Sequence, residues 1–248
     1  MKKIAVVTVV VALLLWSGAG VNITTGSFGD LGNTFRFISE HWFPIDLTDW
    51  RIALKEMLVT LEIAVFSTLV AVLIAFPLSF LAARNWAPFR WLYDSMRFLF
   101  NLIRSIPELV LALVFIPTLG LGPLPAIMAL IIHNIGVFGK LISEMIESTD
   151  EGPQEAVKAL GGTRLLVAIY GIIPQMLPIV LSQYFYRLEV AIRTTLILGI
   201  VGAGGLGQML YNDFKQFMYQ KVTFDVLLIM VLVTAVDYLG AWIRKRVK

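Results

Sequence analysis

The sequence contains no cysteine, only two histidines and few charges, and each shortage closes off a class of chemistry. Without cysteine there is no disulfide, no zinc-thiolate site and no thiol nucleophile. His41 and His133 are the whole imidazole inventory, and no cluster of catalytic or metal-binding groups gathers around either, so a membrane enzyme has no visible centre. Lys, Arg, Asp and Glu together make up only 15% of the 248 residues. What fills the space is apolar: 58% of the residues are hydrophobic, and the mean hydropathy is +0.82. A soluble domain of this size would hold more apolar surface than it can hide. The chain therefore reads as an integral membrane protein with an all-α fold.

Six segments supply the roughly 20 mainly apolar residues that a spanning helix needs: 4–21, 53–83, 92–119, 124–146, 175–201 and 224–243. The formal net charge of +3 alone suggests nucleic acid, but the charges sort by membrane side. One set of connections and helix ends holds Lys2, Lys3, Arg84, Arg90, Arg97, Lys140, Lys158, Arg164, Arg244, Lys245, Arg246 and Lys248. The other holds Arg36, Arg51, Lys55, Lys215 and Lys221 among Asp30, Glu40, Asp46, Asp49, Glu56 and Asp213. The basic excess puts both termini in the cytoplasm. This gives an N-terminal transmembrane helix over residues 1–21, an outer (periplasmic) loop over 22–52 with Trp42, Phe43 and Trp50 as interfacial anchors, and a transmembrane domain over 53–248. Lys2-Lys3, the apolar run and Ser17-Gly18-Ala19-Gly20 also describe a secretory signal peptide; a retained helix is the reading adopted. Asn22-Ile23-Thr24 matches a glycosylation acceptor, a pattern short enough to recur by chance.

Two motifs come close to nucleotide binding. Gly202-Ala203-Gly204-Gly205-Leu206-Gly207 satisfies GxGxxG, but that fingerprint works between a strand and a helix, and here it follows a spanning helix. A flexible turn where backbones approach closely is the preferred reading. Asn134 to Leu141 approaches a P-loop yet lacks its first glycine and its Ser/Thr, so no ATPase is expected in this chain.

Between the fourth and fifth spans lies a polar stretch, 148–174. Pro153 suits the first turn of a helix, Glu151 and Glu155 complement its N-terminal dipole, and Gly161-Gly162 supplies a stop and a joint. A second short helix is expected from Thr163 into a break at Pro174. The first helix places Ala156, Ala159 and Leu160 on one face, a small-residue surface for a partner or an ordinary solvated loop helix.

Within it, Glu155, Ala156, Gly161 and Pro174 fall in register with the EAA loop of bacterial ATP-binding-cassette importer permeases, whose pattern is Glu-Ala-Ala, three residues, Gly, nine residues, then Ile-x-Leu-Pro. Val157, Gly171 and Ile173 replace the usual Ala, Ile and Leu. From about Trp50 onward, and above all at 200–207, the chain resembles the phosphonate-type permeases, and less closely the methionine-type permeases. The resemblance implies a polytopic bundle of about six helices with the type I ABC importer permease fold, in the inner membrane. It implies a transport subunit without enzymatic activity, and coupling residues Glu155, Ala156, Val157, Leu160, Gly161 and Pro174. It further implies a second permease subunit (a homodimer), two ATPases that bind ATP and Mg, an extracytoplasmic binding protein, membrane lipid around the bundle and no nucleic acid. Phosphonates or related phosphorus oxyanions become the leading substrate class.

Gly202, Gly204, Gly205 and Gly207 are the expected outer gate. Arg104, Arg187 and Arg193 are candidate pathway residues, because ionisable groups inside spans face a cavity or a partner. Arg104 with Glu108, and Glu189 with Arg193, have i,i+4 spacing, so local pairing competes with anion contact. Arg187 has no such partner, and His133 beside Asn134 reads as a hydrogen-bonded helix contact. A secondary transporter is the rival from another class, yet its inverted repeat with paired broken helices is not visible. Pro107 and Pro117 are both positioned to break the third span.

Overall fold

The computed structural model describes residues 2–20 and 31–247, so the Asn22-Ile23-Thr24 pattern lies outside the described residues. The chain divides into two compact units, Met1–Ile45 and Asp46–Lys248. In the first, α1 (Lys2–Gly20) and α2 (Leu31–His41) are both helical. α2 carries an i,i+4 pair, Arg36 Nε to Glu40 Oε1 at 2.7 Å.

The second unit is a helical bundle: α3 (Trp50–Leu81), α4 (Arg90–Ser105), α5 (Glu108–Leu119), α6 (Pro123–Glu147), α7 (Glu151–Ala159), α8 (Arg164–Leu166), a π-helical turn (Val167–Ile172), α9 (Ile173–Gly199), α10 (Gly205–Lys215) and α11 (Tyr219–Val247). Among the described residues, four helices are long and apolar enough to cross a membrane, Trp50–Leu81, Pro123–Glu147, Arg164–Gly199 and Tyr219–Arg246. The pair α4 and α5 passes the same test only when taken together and is bent by 85°, a broken span or a re-entrant loop. The sixth expected segment is α1, whose apolar stretch Val6–Gly20 is shorter than these.

In lipid, burying a side chain gains packing contacts rather than escape from water, so close approach of small residues drives association. α3 follows that rule: its buried positions include Ala53, Ala64, Ser67, Ala71, Ala75 and Ser79. Its most extensive partner is α6. Phe138, Ile142 and Ile146 of α6 meet Ala71 and Ala75 in one cluster, joined by Ile172 and Met176. Ala126, Ala129 and Leu130 meet Ile63 and Leu198 in another. α4 crosses α6 so tightly that the Phe100 ring rests on Gly139, where a Cβ would come within 2.4 Å of it. Arg97 on α4 then pairs with Glu144 at 3.4 Å and Glu147 at 2.8 Å.

The break between α4 and α5 falls at Pro107. Ile106 before it is extended, with φ −89° and ψ 122°, as the proline ring demands of its predecessor. Pro117 breaks nothing and sits inside α5 near its end. Pro174 also fails to break its helix. The segment from Arg164 to Gly199 is one continuous span, because the π turn before the proline already uses wider bonding, with the Ile173 N–H donating to the Ala168 carbonyl five residues back.

Candidate functional site

Three regions collect the polar groups that the bundle does not use for packing. The first is the loop after α6. Asp150 caps α7, its Oδ1 accepting the Gly152 N–H at 3.0 Å. Gln175, at the start of α9, braces it by accepting the Asp150 N–H (2.9 Å) and donating to the Asp150 carbonyl (3.1 Å). Gln154 is buried and donates to Thr149 Oγ1 at 3.1 Å. α7 lies directly on the π turn at Gly171, where an added Cβ would be 3.0 Å from Gln154 Cα. Arg164 ties the other end to the α3–α4 connection: Nη2 donates to the Trp86 carbonyl at 2.6 Å, and the guanidinium lies 5.3 Å from that indole's centroid. α7 ends at Gly161, with φ +77°, closed by Gly161 N–H to Lys158 O (2.9 Å) and Gly162 N–H to Val157 O (3.0 Å).

On this scaffold Glu155, Ala156, Ala159, Leu160 and Gly161 are exposed, Leu160 at 90%. Val157 is half-buried, and Pro174 is exposed at the first turn of α9. A cleft of about 400 Å³ beside the face is lined by Trp86, Glu151, Gln154, Glu155, Lys158 and Arg164 among others. Sequence reasoning missed Asp150, Gln154 and Gln175. Asp150 ahead of Glu151-Gly152-Pro153 carries a helix-start signature; the two glutamines carry no local signal.

The second region is the glycine-rich turn after α9. Gly202, Gly204 and Gly205 have φ of +93°, +86° and +72°. The backbone donors that a dinucleotide phosphate would need are already taken. Gly205 N–H donates to Glu56 Oε2 (3.0 Å), Leu206 N–H to Thr60 Oγ1 (2.9 Å) and Gly204 N–H to Gln208 Oε1 (2.8 Å). Two of these acceptors come from α3, far away in sequence, which hid them from sequence reasoning. α9 and α10 touch backbone to backbone, since a Cβ on Gly207 would fall 2.0 Å from the Leu196 carbonyl oxygen and one on Gly199 2.5 Å from Gln208 N. A cleft of about 450 Å³ opens beside the turn, lined by Asp49, Glu56, Gly204, Gly205, Gln208 and Asp213 among others. Burial pushes the Asp213 carboxyl above its ordinary range. Nearby Asp46 is held below it by hydrogen bonds from the Thr48 hydroxyl and N–H.

The third region lies inside the spans. The expected Arg104–Glu108 pair does not form, because i,i+4 pairing presumes a continuous helix and the 85° bend separates the two. Arg104 is exposed, whereas Glu108 meets His133 on α6, with Oε1 3.1 Å from Nε2. The other ring nitrogen, Nδ1, contacts the Ile106 carbonyl oxygen at 3.1 Å, so His133 is a hydrogen-bonded helix contact. Arg187 does have a partner, Asn134, reached from Nε at 3.2 Å and also from Nη2. Glu189 and Arg193 pair as their spacing predicts.

Residues 75–248 match the family model described as the binding-protein-dependent transport system inner membrane component. The phosphite transport system permease protein PtxC of Stutzerimonas stutzeri is 34% identical over 246 residues, 99% of this chain and 89% of the relative. The phosphate-import permease protein PhnE of Mycolicibacterium smegmatis is 38% identical over 187 residues, 75% of this chain and 35% of that longer protein. Among solved structures, the MetNI methionine ABC transporter in an inward-facing conformation superposes with a TM-score of 0.68 at 23% identity, covering 79% of this chain and 96% of that one. The shared architecture is that of the type I ABC importer permeases.

Proposed function

The chain belongs to the binding-protein-dependent transport system inner membrane component family, and from that premise we propose that it is the permease subunit of an ATP-driven importer for phosphorus oxyanions, phosphite and phosphonates foremost. A second copy of the chain completes the pathway, an extracytoplasmic binding protein delivers the anion, and both termini lie in the cytoplasm. ATP and Mg are bound by two partner ATPases, which dock on the face running from Glu155 to Gly161. Gly202, Gly204, Gly205 and Gly207 belong to the outer gate, and Arg104, Arg187 and Arg193 border the passage.

One observation carries the coupling role: the exposed face of α7 stands on a base clamped at both ends, by Asp150 to Gln175 and by Arg164 to Trp86. A push on that face is transmitted rather than absorbed. The substrate class rests on a phosphite permease related over nearly the whole chain. A methionine-type permease is the alternative, which the test separates. The test is the affinity of the cognate binding protein for phosphite, methylphosphonate, phosphate and methionine. A phosphorus oxyanion should bind at least about tenfold more tightly than methionine, ~1.4 kcal/mol. Preference for methionine overturns the substrate class.

A further inference from the structure

We propose that Arg187 and Asn134 form an oxyanion station halfway along the bundle, and that Glu108 with His133 is the counter-ion pair that keeps the Arg187 charge available to the anion. The proposal rests on the phosphorus-oxyanion reading and gives that passage its residues.

The depth comes from the helices. His133 and Asn134 sit near the middle of Pro123–Glu147, Arg187 near the middle of Ile173–Gly199, and Glu108 opens α5 at the bend. A half-helix start at mid-span is where membrane transporters commonly place anion sites.

Counting donors fixes the protons. A carbonyl oxygen only accepts, so His133 Nδ1, 3.1 Å from the Ile106 oxygen, carries hydrogen. In a neutral ring Nε2 would then present a lone pair to Glu108 Oε1 at 3.1 Å. Two lone pairs at that distance repel, so a proton lies between them and the pair is neutral as a unit. Among the described residues, Arg187 by contrast hydrogen-bonds to the Asn134 amide oxygen alone. A neutral amide supplies geometry without cancelling charge.

The same bond fixes the amide. With Oδ1 turned to Arg187, Asn134 Nδ2 is a donor in a residue that is 1% exposed, and it has no acceptor among the described residues. A buried donor left unmatched is costly. Beside a guanidinium that makes no salt bridge among the described residues, the acceptor that suits both is an oxyanion. The other charged and titratable groups acting here are Arg104, on the exposed end of α4, and Tyr186. Glu108 is therefore the carboxylate that decides the balance. While a proton is shared with His133 the pair carries no net charge; with that partner removed Glu108 turns to Arg187 and closes the station.

The test uses the complete transporter, with its ATPase and binding protein, in liposomes, with phosphite as the probe. His133→Gln should lower uptake about tenfold or more by releasing Glu108 onto Arg187. Adding Glu108→Gln to that variant should restore most of the loss, which a merely structural histidine would not allow. Asn134→Asp keeps the bond to Arg187 and the shape of the side chain, yet brings a fixed negative charge. It should assemble and still lose uptake about tenfold or more. A double variant no better than His133→Gln overturns the proposal, as does normal uptake by Asn134→Asp. If the His133→Gln complex fails to assemble, Asn134→Asp decides alone. Failure of the unaltered transporter to carry any phosphorus oxyanion strikes the substrate reading instead.

Discussion

Two glycine turns flank the same 36-residue span, Arg164–Gly199, and Gly161 in the first and Gly207 in the second are there for opposite reasons. Before the span, Gly161 is needed for its backbone angle alone: φ is +77°, and a Cβ there would meet nothing within 4 Å. After it, a Cβ on Gly205 would come within 2.4 Å of Thr60 Oγ1 and one on Gly207 within 2.0 Å of a carbonyl oxygen. The first turn ends a helix in open space, where a partner has room. The second locks α10 against α3 and α9 with no tolerance. Gly161 thus marks a free surface at one end of the helix, and Gly207 a fixed joint at the other.

The sharpest way to break this contrast is Gly207→Ala. The methyl must push two helix backbones apart, so a loss of roughly 3–5 kcal/mol is expected, read as a collapse of the thermal midpoint of the purified subunit or as failure to assemble. A stable Gly207→Ala subunit would show that the joint has slack. Next comes Gly205→Ala, which combines positive φ with displacement of the Thr60 hydroxyl from the Leu206 N–H. About 2–3 kcal/mol is expected, measured by the same melt. Smallest is Gly161→Ala, at ~1–2 kcal/mol for the left-handed backbone alone. Gly161→Trp should match it in stability and membrane insertion while loosening the ATPase, seen as at least a tenfold weaker affinity between the subunits, ~1.4 kcal/mol. Equal destabilisation by Gly161→Ala and Gly207→Ala would erase the distinction.

Much of this was legible in the sequence, and the failures share a cause. Apolar run length located the long spans, and the fixed φ of proline located the break at Pro107. Gly161 closing a nine-residue α7 follows from capping chemistry. What misled were rules that assume an ideal helix. The i,i+4 spacing of Arg104 and Glu108 means nothing across a bend. Pro174 reads as a break only if the preceding turn is α-helical, and it is not. The rest was invisible because it joins distant segments: Glu56 to Gly205 spans 149 positions, and Arg187 to Asn134 spans 53. Local periodicity cannot report such pairs; only the packing of α3, α6 and α9 brings them together.

The π turn at Val167–Ile172 has a rotational consequence. An α-helix advances its side chains by about 100° per residue, and a turn closed five residues back holds one residue more than that count. Viewed down the axis as a clock face, Met176, Val180, Leu188 and Ile192 therefore reach the core about one residue later than an uninterrupted α-helix starting at Arg164 would bring them. Those few residues set the phase between the two ends of the rod. A chain one residue shorter there would keep its span and its loop, but would aim the loop in a different compass direction.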